Sequence, residues 1–259
     1  MNWTNLIASI GAAAWAPQII SWVYKGIAKP KLQFVPEDKT EIGYTFYGPI
    51  LNQTFAVSTS RKDALVERIT LEVIHESEEK HQFKWIFLSE KGPEIISTTG
   101  DRAEFRKEQP AIGLKIGILG LIEKKIGFQD ITYQNKLNSL VGLSTEQVIH
   151  LEKTEGENYK KEAIKTKEFL DVLDFIQRGF YWKQGKYNVD LYVYETSLKK
   201  PHVEHYGFEL AKRHVEQLER NIKETQDWCR DLILYRGAEA KEIPQHVWNW
   251  VNPSFYRIR

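Results

Sequence analysis

The stretch Arg68-ITLEVIHESEEKHQFKWIF-Leu88 decides the fold class of this chain. Ile69, Leu71 and Val73 alternate with Arg68, Thr70 and Glu72. Successive side chains of a strand point to opposite faces, so this spacing describes a strand buried on one side and wet on the other. Ser77 to Lys80 make a polar turn, and His81 to Leu88 (HQFKWIFL) returns as the partner of a hairpin.

The same pattern extends in both directions. Lys31 to Pro36 read as a first short strand, and Tyr44 to Tyr47 and Ile50 to Ser58 are β-prone runs separated by Gly48-Pro49. A second alternation runs from Lys186 to Glu195, with Tyr187, Val189, Leu191 and Val193 on one face. Trp182-Lys183-Gln184-Gly185 leads into it. An aromatic, a glycine turn and a tyrosine opening an alternating strand resemble the late strands of immunoglobulin-like sandwiches. The expectation is a mainly β chain with helices: an immunoglobulin-like β-sandwich, one transmembrane-like helix before it and a long C-terminal helix after it.

Helical periodicity occurs in two places. Thr154 with Glu157 fits a capping box, Ile164, Leu170, Leu173 and Ile176 form a stripe, and Gly179 supplies a stop. Ala211, Val215, Leu218, Ile222, Thr225, Cys229 and Leu232 alternate steps of four and three, a seam expected to pack on the body. Ala111 to Leu121 is apolar but interrupted by Gly113, Gly117 and Gly120, which suits a strand or buried loop. The C-terminal aromatics Trp248, Trp250, Phe255 and Tyr256 are expected to fold against the sandwich rather than serve as a docking tail.

From Trp3 to Tyr24 (WTNLIASIGAAAWAPQIISWVY) no residue is charged. About 20 apolar residues cross a bilayer. Trp3, Trp22 and Tyr24 sit where an aromatic belt would lie, Ala8, Ala12 and Ala16 form a small-residue face, and Lys25, Lys29 and Lys31 follow. The segment therefore predicts a single-pass inner-membrane anchor in contact with the lipid bilayer through residues 3–24, with the C-terminal body in the cytoplasm. Asn5, Ser9, Gln18 and Ser21 dilute it and Pro17 interrupts it, which leaves a buried core helix as the rival. The predicted organisation is 1–28 anchor, 29–210 β-sandwich, and 211–259 helix and aromatic tail.

Composition excludes more than it assigns. With 36 basic and 35 acidic residues the net charge is +1, which gives no global footprint for nucleic acid. The single cysteine, Cys229, allows no internal disulfide and no zinc pair. No phosphate loop, nucleophile elbow or dinucleotide fingerprint is present, so neither a catalytic set nor a cofactor is expected. The weak metal candidates are His202, His205 and His214, with Glu204 between the first two; Pro201 and Lys199-Lys200 suggest that they lie on a surface loop. Asp171 and Asp174, with Glu168 beside them, could form an acid–base pair but read more simply as the wet side of a helix.

Trp22-Val23-Tyr24-Lys25, Lys29-Pro30-Lys31-Leu32 and Gly48-Pro49-Ile50-Leu51-Asn52 resemble uncharacterised bacterial proteins that join an apolar N-terminal helix to a compact cytoplasmic β-rich domain. The resemblance covers mainly the first ninety residues and implies an anchor and orientation, but no activity. Two functions follow as expectations: a tethered binding or scaffold module with an unknown protein partner and possible self-association, or an enzyme or ligand-sensing effector whose site is assembled from scattered residues.

Overall fold

The computed structural model describes residues 15–19, 23, 28–96, 102–118, 120–235 and 246–258. The strands are β1 (Lys31–Thr45), β2 (Gly48–Ser60), β3 (Ala64–His75), β4 (Lys80–Ile96), β5 (Arg102–Pro110), β6 (Leu114–Ile116), β7 (Leu121–Gln129), β8 (Gly185–Glu195), β9 (His202–Leu210), β10 (Trp250–Val251) and β11 (Phe255–Arg257). All belong to one antiparallel sheet in the order β10-β1-β2-β7-β4-β3-β8-β9-β11, with β5 on β4 and β6 on β3. The helices are α1 (Ile131–Glu155), α2 (Tyr159–Ala163), α3 (Lys167–Arg178) and α4 (Lys212–Leu234).

The sheet curls into a half-barrel whose two ends are drawn together by the C-terminal tail. β10 pairs with β1 through Ile42↔Val251, while β11 pairs with β9 through Phe255↔Phe208. Tyr206 Oη donates to the Phe34 carbonyl at 2.8 Å, which ties β9 to β1 directly. This corrects the expected sandwich. Alternation along a strand reports that one face is buried, not what covers it. Here the curl and the helices cover it, and no second sheet is present among the described residues.

The helices gather at the end of the sheet that carries the β1–β2 turn. Tyr44 on β1 donates to the Ile176 carbonyl of α3 at 2.5 Å and shares a hydrogen bond with Tyr133 of α1 at 2.7 Å. Gly48 has φ +85°, and a β-carbon there would meet the Tyr133 ring at 2.2 Å, so both space and backbone require glycine. Trp182 is buried and donates Nε1–H to the Gly43 carbonyl at 3.1 Å.

The longest helix, α1, lies mid-chain rather than at the C-terminus. Its N-cap is Asp130, whose carboxylate accepts from Tyr133 N at 3.0 Å. The expected capping box at Thr154 falls inside the last turn of α1, and the N-cap of α3, which carries the expected stripe, is Thr166. Gly179 ends α3 as expected, but its buried face is Phe169, Val172 and Ile176, while Ile164 and Leu170 are exposed. On α4 the seam residues Leu218, Ile222, Thr225 and Cys229 are buried; Leu232 is exposed, and Ile233 takes the inward place.

No helix among the described residues is long and apolar enough to cross a membrane. The single-pass inner-membrane reading is corrected accordingly, with the polar dilution by Asn5, Ser9, Gln18 and Ser21 as its physical reason. Most of the expected span, residues 3–24, lies outside the described residues; residues 15–19 and Val23 are helical and exposed.

Candidate functional site

The outer face of β3, β4 and β8 carries a depression of about 270 Å³, lined mainly by outward-facing polar and aromatic side chains. It opens where β3 and β4 part. These strands pair only from Thr70↔Lys84 to Ile74↔Lys80; beyond that, β3 pairs with β6 and β4 with β5. A bulge between Val66 and Arg68 breaks the β3–β8 register. Val66 and Ile69 both face the core while Glu67 and Arg68 are both exposed, so the bulge turns Arg68 outward.

Cross-strand register assembles the rest. Arg68 stands opposite Tyr194, Thr70 opposite Tyr192, and Glu72 opposite Asp190. On the other flank Thr70 faces Lys84 and Glu72 faces Gln82. The Arg68 guanidinium lies 3.9 Å from the centre of the Tyr194 ring, a cation–π contact that fixes its plane. Lys84 is exposed and, among the described residues, neither it nor Arg68 pairs with a carboxylate.

The acids of this face are already engaged. Lys80 Nζ sits 3.0 Å from Glu72 Oε1, and this hydrogen bond holds the ammonium above its usual pKa. His205 Nδ1 sits 2.7 Å from Asp190 Oδ1. Burial raises the Tyr192 hydroxyl above its ordinary value, and the Asp190 and Glu72 charges add to the effect, so it stays a hydrogen-bond donor at neutral pH. The face thus presents two unpaired cations, two tyrosines, a threonine hydroxyl and a glutamine amide.

The histidines expected as weak metal ligands do not converge. They lie on strand β9 and on α4, not on a loop. His202 and His205 alternate across β9, His202 toward Glu204 (2.9 Å) and His205 toward Asp190 on the outer face. Glu204 is buried and also holds Arg257 of the tail. His214 sits in the first turn of α4, where its Nδ1 accepts from Ala211 N at 3.3 Å; burial, then Arg213, lowers its pKa. Among the described residues no group of three His, Cys, Asp or Glu side chains stands ready for a metal. Asp171 and Asp174 are exposed on α3, Asp174 paired to Arg178 at 2.9 Å, which is the wet-face arrangement.

Arg68, Lys84, Tyr192 and Tyr194 were not singled out by any motif. The one legible signal is that Tyr192 and Tyr194 fall on the wet side of an alternating strand, where aromatics have no core to fill.

No family model matches the chain, and no curated protein matches it. Among solved structures, a family 123 glycoside hydrolase from Clostridium perfringens, described for glycolipid glycan hydrolysis, aligns at 14% identity with a TM-score of 0.33. The match covers 71% of this chain and 27% of that one, so the chain spans about a quarter of its length. A likeness this distant carries no conclusion about activity.

Proposed function

We propose that this chain is a binding module whose outer sheet face, at the parting of β3 and β4, seats a polar ligand. The observation that supports this most is the pair of unpaired cations, Arg68 and Lys84, set around Tyr192 in a depression the fold does not need. Aromatic walls with a few placed polar groups are what an orienting site requires. The three strands are interior to the sheet, so the site rides on a rigid support.

The test is amide NMR of the full chain titrated with nucleotides, amino acids, acidic peptides and oligosaccharides. The reading expects shifts at residues 68–72, 82–84 and 190–194 with one ligand class, abolished by Tyr192→Ala without loss of fold. Shifts elsewhere, or none from any class, would refute it.

A second reading, an enzyme, has one observation in its favour: Glu72 and Asp190 face each other directly across β3 and β8. Paired carboxylates can divide acid and base roles. Each instead has its own hydrogen-bond partner, Lys80 or His205, which favours binding over turnover. Chemical change in a bound ligand during long incubation, lost in Glu72→Gln, would reverse that preference.

A further inference from the structure

Resting on the binding-module reading, we infer that the ligand of this face is an acidic saccharide, its carboxylate held between Arg68 and Lys84 and its ring laid on Tyr192. A strand spacing of about 4.8 Å and a rise of about 3.3 Å per residue put the Cα atoms of Arg68 and Lys84 about 8 Å apart, within reach of one carboxylate or of two on neighbouring sugars. The guanidinium rests on the Tyr194 ring, and its N–H fork is the geometry that grips a carboxylate in two hydrogen bonds. Tyr194 is therefore a positioning residue and Arg68 the contact.

The remaining groups suit hydroxyls. Gln82 offers donor and acceptor together, Thr70 a hydroxyl, Tyr192 a phenol held protonated, and Glu72 an acceptor beside them. A sugar supplies hydroxyl donors that match Glu72 as an acceptor, whereas a phosphate dianion offers it none. Phosphate sites also draw on free backbone N–H groups at a helix N-terminus or nest. Here the depression is lined by strand residues alone, with no helix N-terminus among them. A peptide added as a strand needs a free edge, and this depression lies on the face of interior strands. Nucleic acid finds no global basic footprint at a net charge of +1.

The test is calorimetric titration of the full chain with galacturonate oligomers, hyaluronan fragments and sialyllactose, each beside a neutral counterpart: methyl-esterified galacturonate, N-acetylglucosamine oligomers and lactose. At least one acidic probe is expected to bind tenfold or more tighter than its neutral counterpart, with an affinity that falls as salt rises. Arg68→Ala and Lys84→Ala should each weaken it about tenfold, the size of one charge-assisted contact. Tyr194→Phe should leave it unchanged, whereas Tyr194→Ala should weaken it by freeing Arg68. Equal binding of acidic and neutral probes, or binding indifferent to Arg68→Ala and Lys84→Ala, overturns the acidic class while leaving the module reading intact. Binding of a non-saccharide at residues 68–72 and 190–194, with no saccharide bound, does the same. Silence from every probe class overturns both.

Discussion

The inner and outer faces of β3, β4 and β8 are made by the same strands, yet they follow different rules. Inward, Ile69, Leu71, Val73, Phe83, Val189, Leu191 and Val193 are all but fully buried. Outward, the same backbones carry Arg68, Thr70, Glu72, Gln82, Lys84, Tyr192 and Tyr194 around an open depression. Packing dictates the first set closely and the second hardly at all. The outer tyrosines and cations therefore need another reason, and binding supplies one. The comparison also separates two kinds of substitution: those that unfold the chain and those that silence it.

The largest effect should come from the inner face. Phe83 is fully buried and stacks on Trp182 with ring centres 6.1 Å apart. Phe83→Ala is expected to remove about 3–5 kcal/mol of stability, read by urea denaturation. A loss below about 1 kcal/mol would break the assignment of β4's inner side to the core.

Alkaline pH should sharpen the contrast next. Burial raises the inner groups: Tyr187 to about 12, Cys229 to about 12, and Tyr44 and Tyr133 well above the ordinary 10.0 of tyrosine. The unfolded chain releases those protons near 9.0 for cysteine and 10.0 for tyrosine, while the native state keeps them. Fewer protons bound in the unfolded state make the slope of unfolding free energy against pH negative. Stability is then whole below about pH 9 and falls above it, first through Cys229 and then through the tyrosines, by about 1.4 kcal/mol per pH unit for each group. Denaturation midpoints at pH 8 and pH 10.5 should differ clearly, and Cys229→Ala should delay the first part of the fall. Equal midpoints would contradict the burial of these hydroxyls.

A smaller, local effect should follow at the closure of the half-barrel. Asn221 of α4 donates to the Asn249 carbonyl and accepts from Asn249 N, both at 2.8 Å, and holds the tail that carries β10 and β11. Asn221→Leu should cost about 1–3 kcal/mol by stranding those backbone groups. Hydrogen exchange should quicken at Val251 and Arg257 more than at Leu71. Uniform quickening would mean the tail opens only with the whole fold. The smallest effect belongs to the outer face, where Arg68→Ala and Lys84→Ala should each stay within about 0.5 kcal/mol of the parent.

The contrast explains what was legible in the sequence. The hairpin around Ser77 to Lys80 and the strand from Lys186 to Glu195 could be read because one buried face leaves a period of two. The partner of that face could not, since sheet and helix bury it equally well; hence the mistaken sandwich. Helix α1 escaped because its buried positions Tyr133, Leu137, Ser144 and Val148 form a thin stripe that includes a serine, with Gly142 beside it. The site left no motif because Arg68, Lys84 and Tyr192 meet only through cross-strand register, which chain spacing does not encode. His202 and His205, three residues apart, fall on opposite faces of β9 because successive side chains of a strand alternate.

The most direct test of the account is amide NMR of the labelled full chain titrated with the acidic saccharide that binds tightest in calorimetry, repeated on the Arg68→Ala/Lys84→Ala double variant at matched stability. The account predicts shifts confined to residues 68–72, 82–84 and 190–194 in the parent, and none in the variant. Shifts centred instead on the hollow between α3 and α4, lined by Gln177, Glu219 and Gln226, or shifts that persist in the double variant, would contradict it.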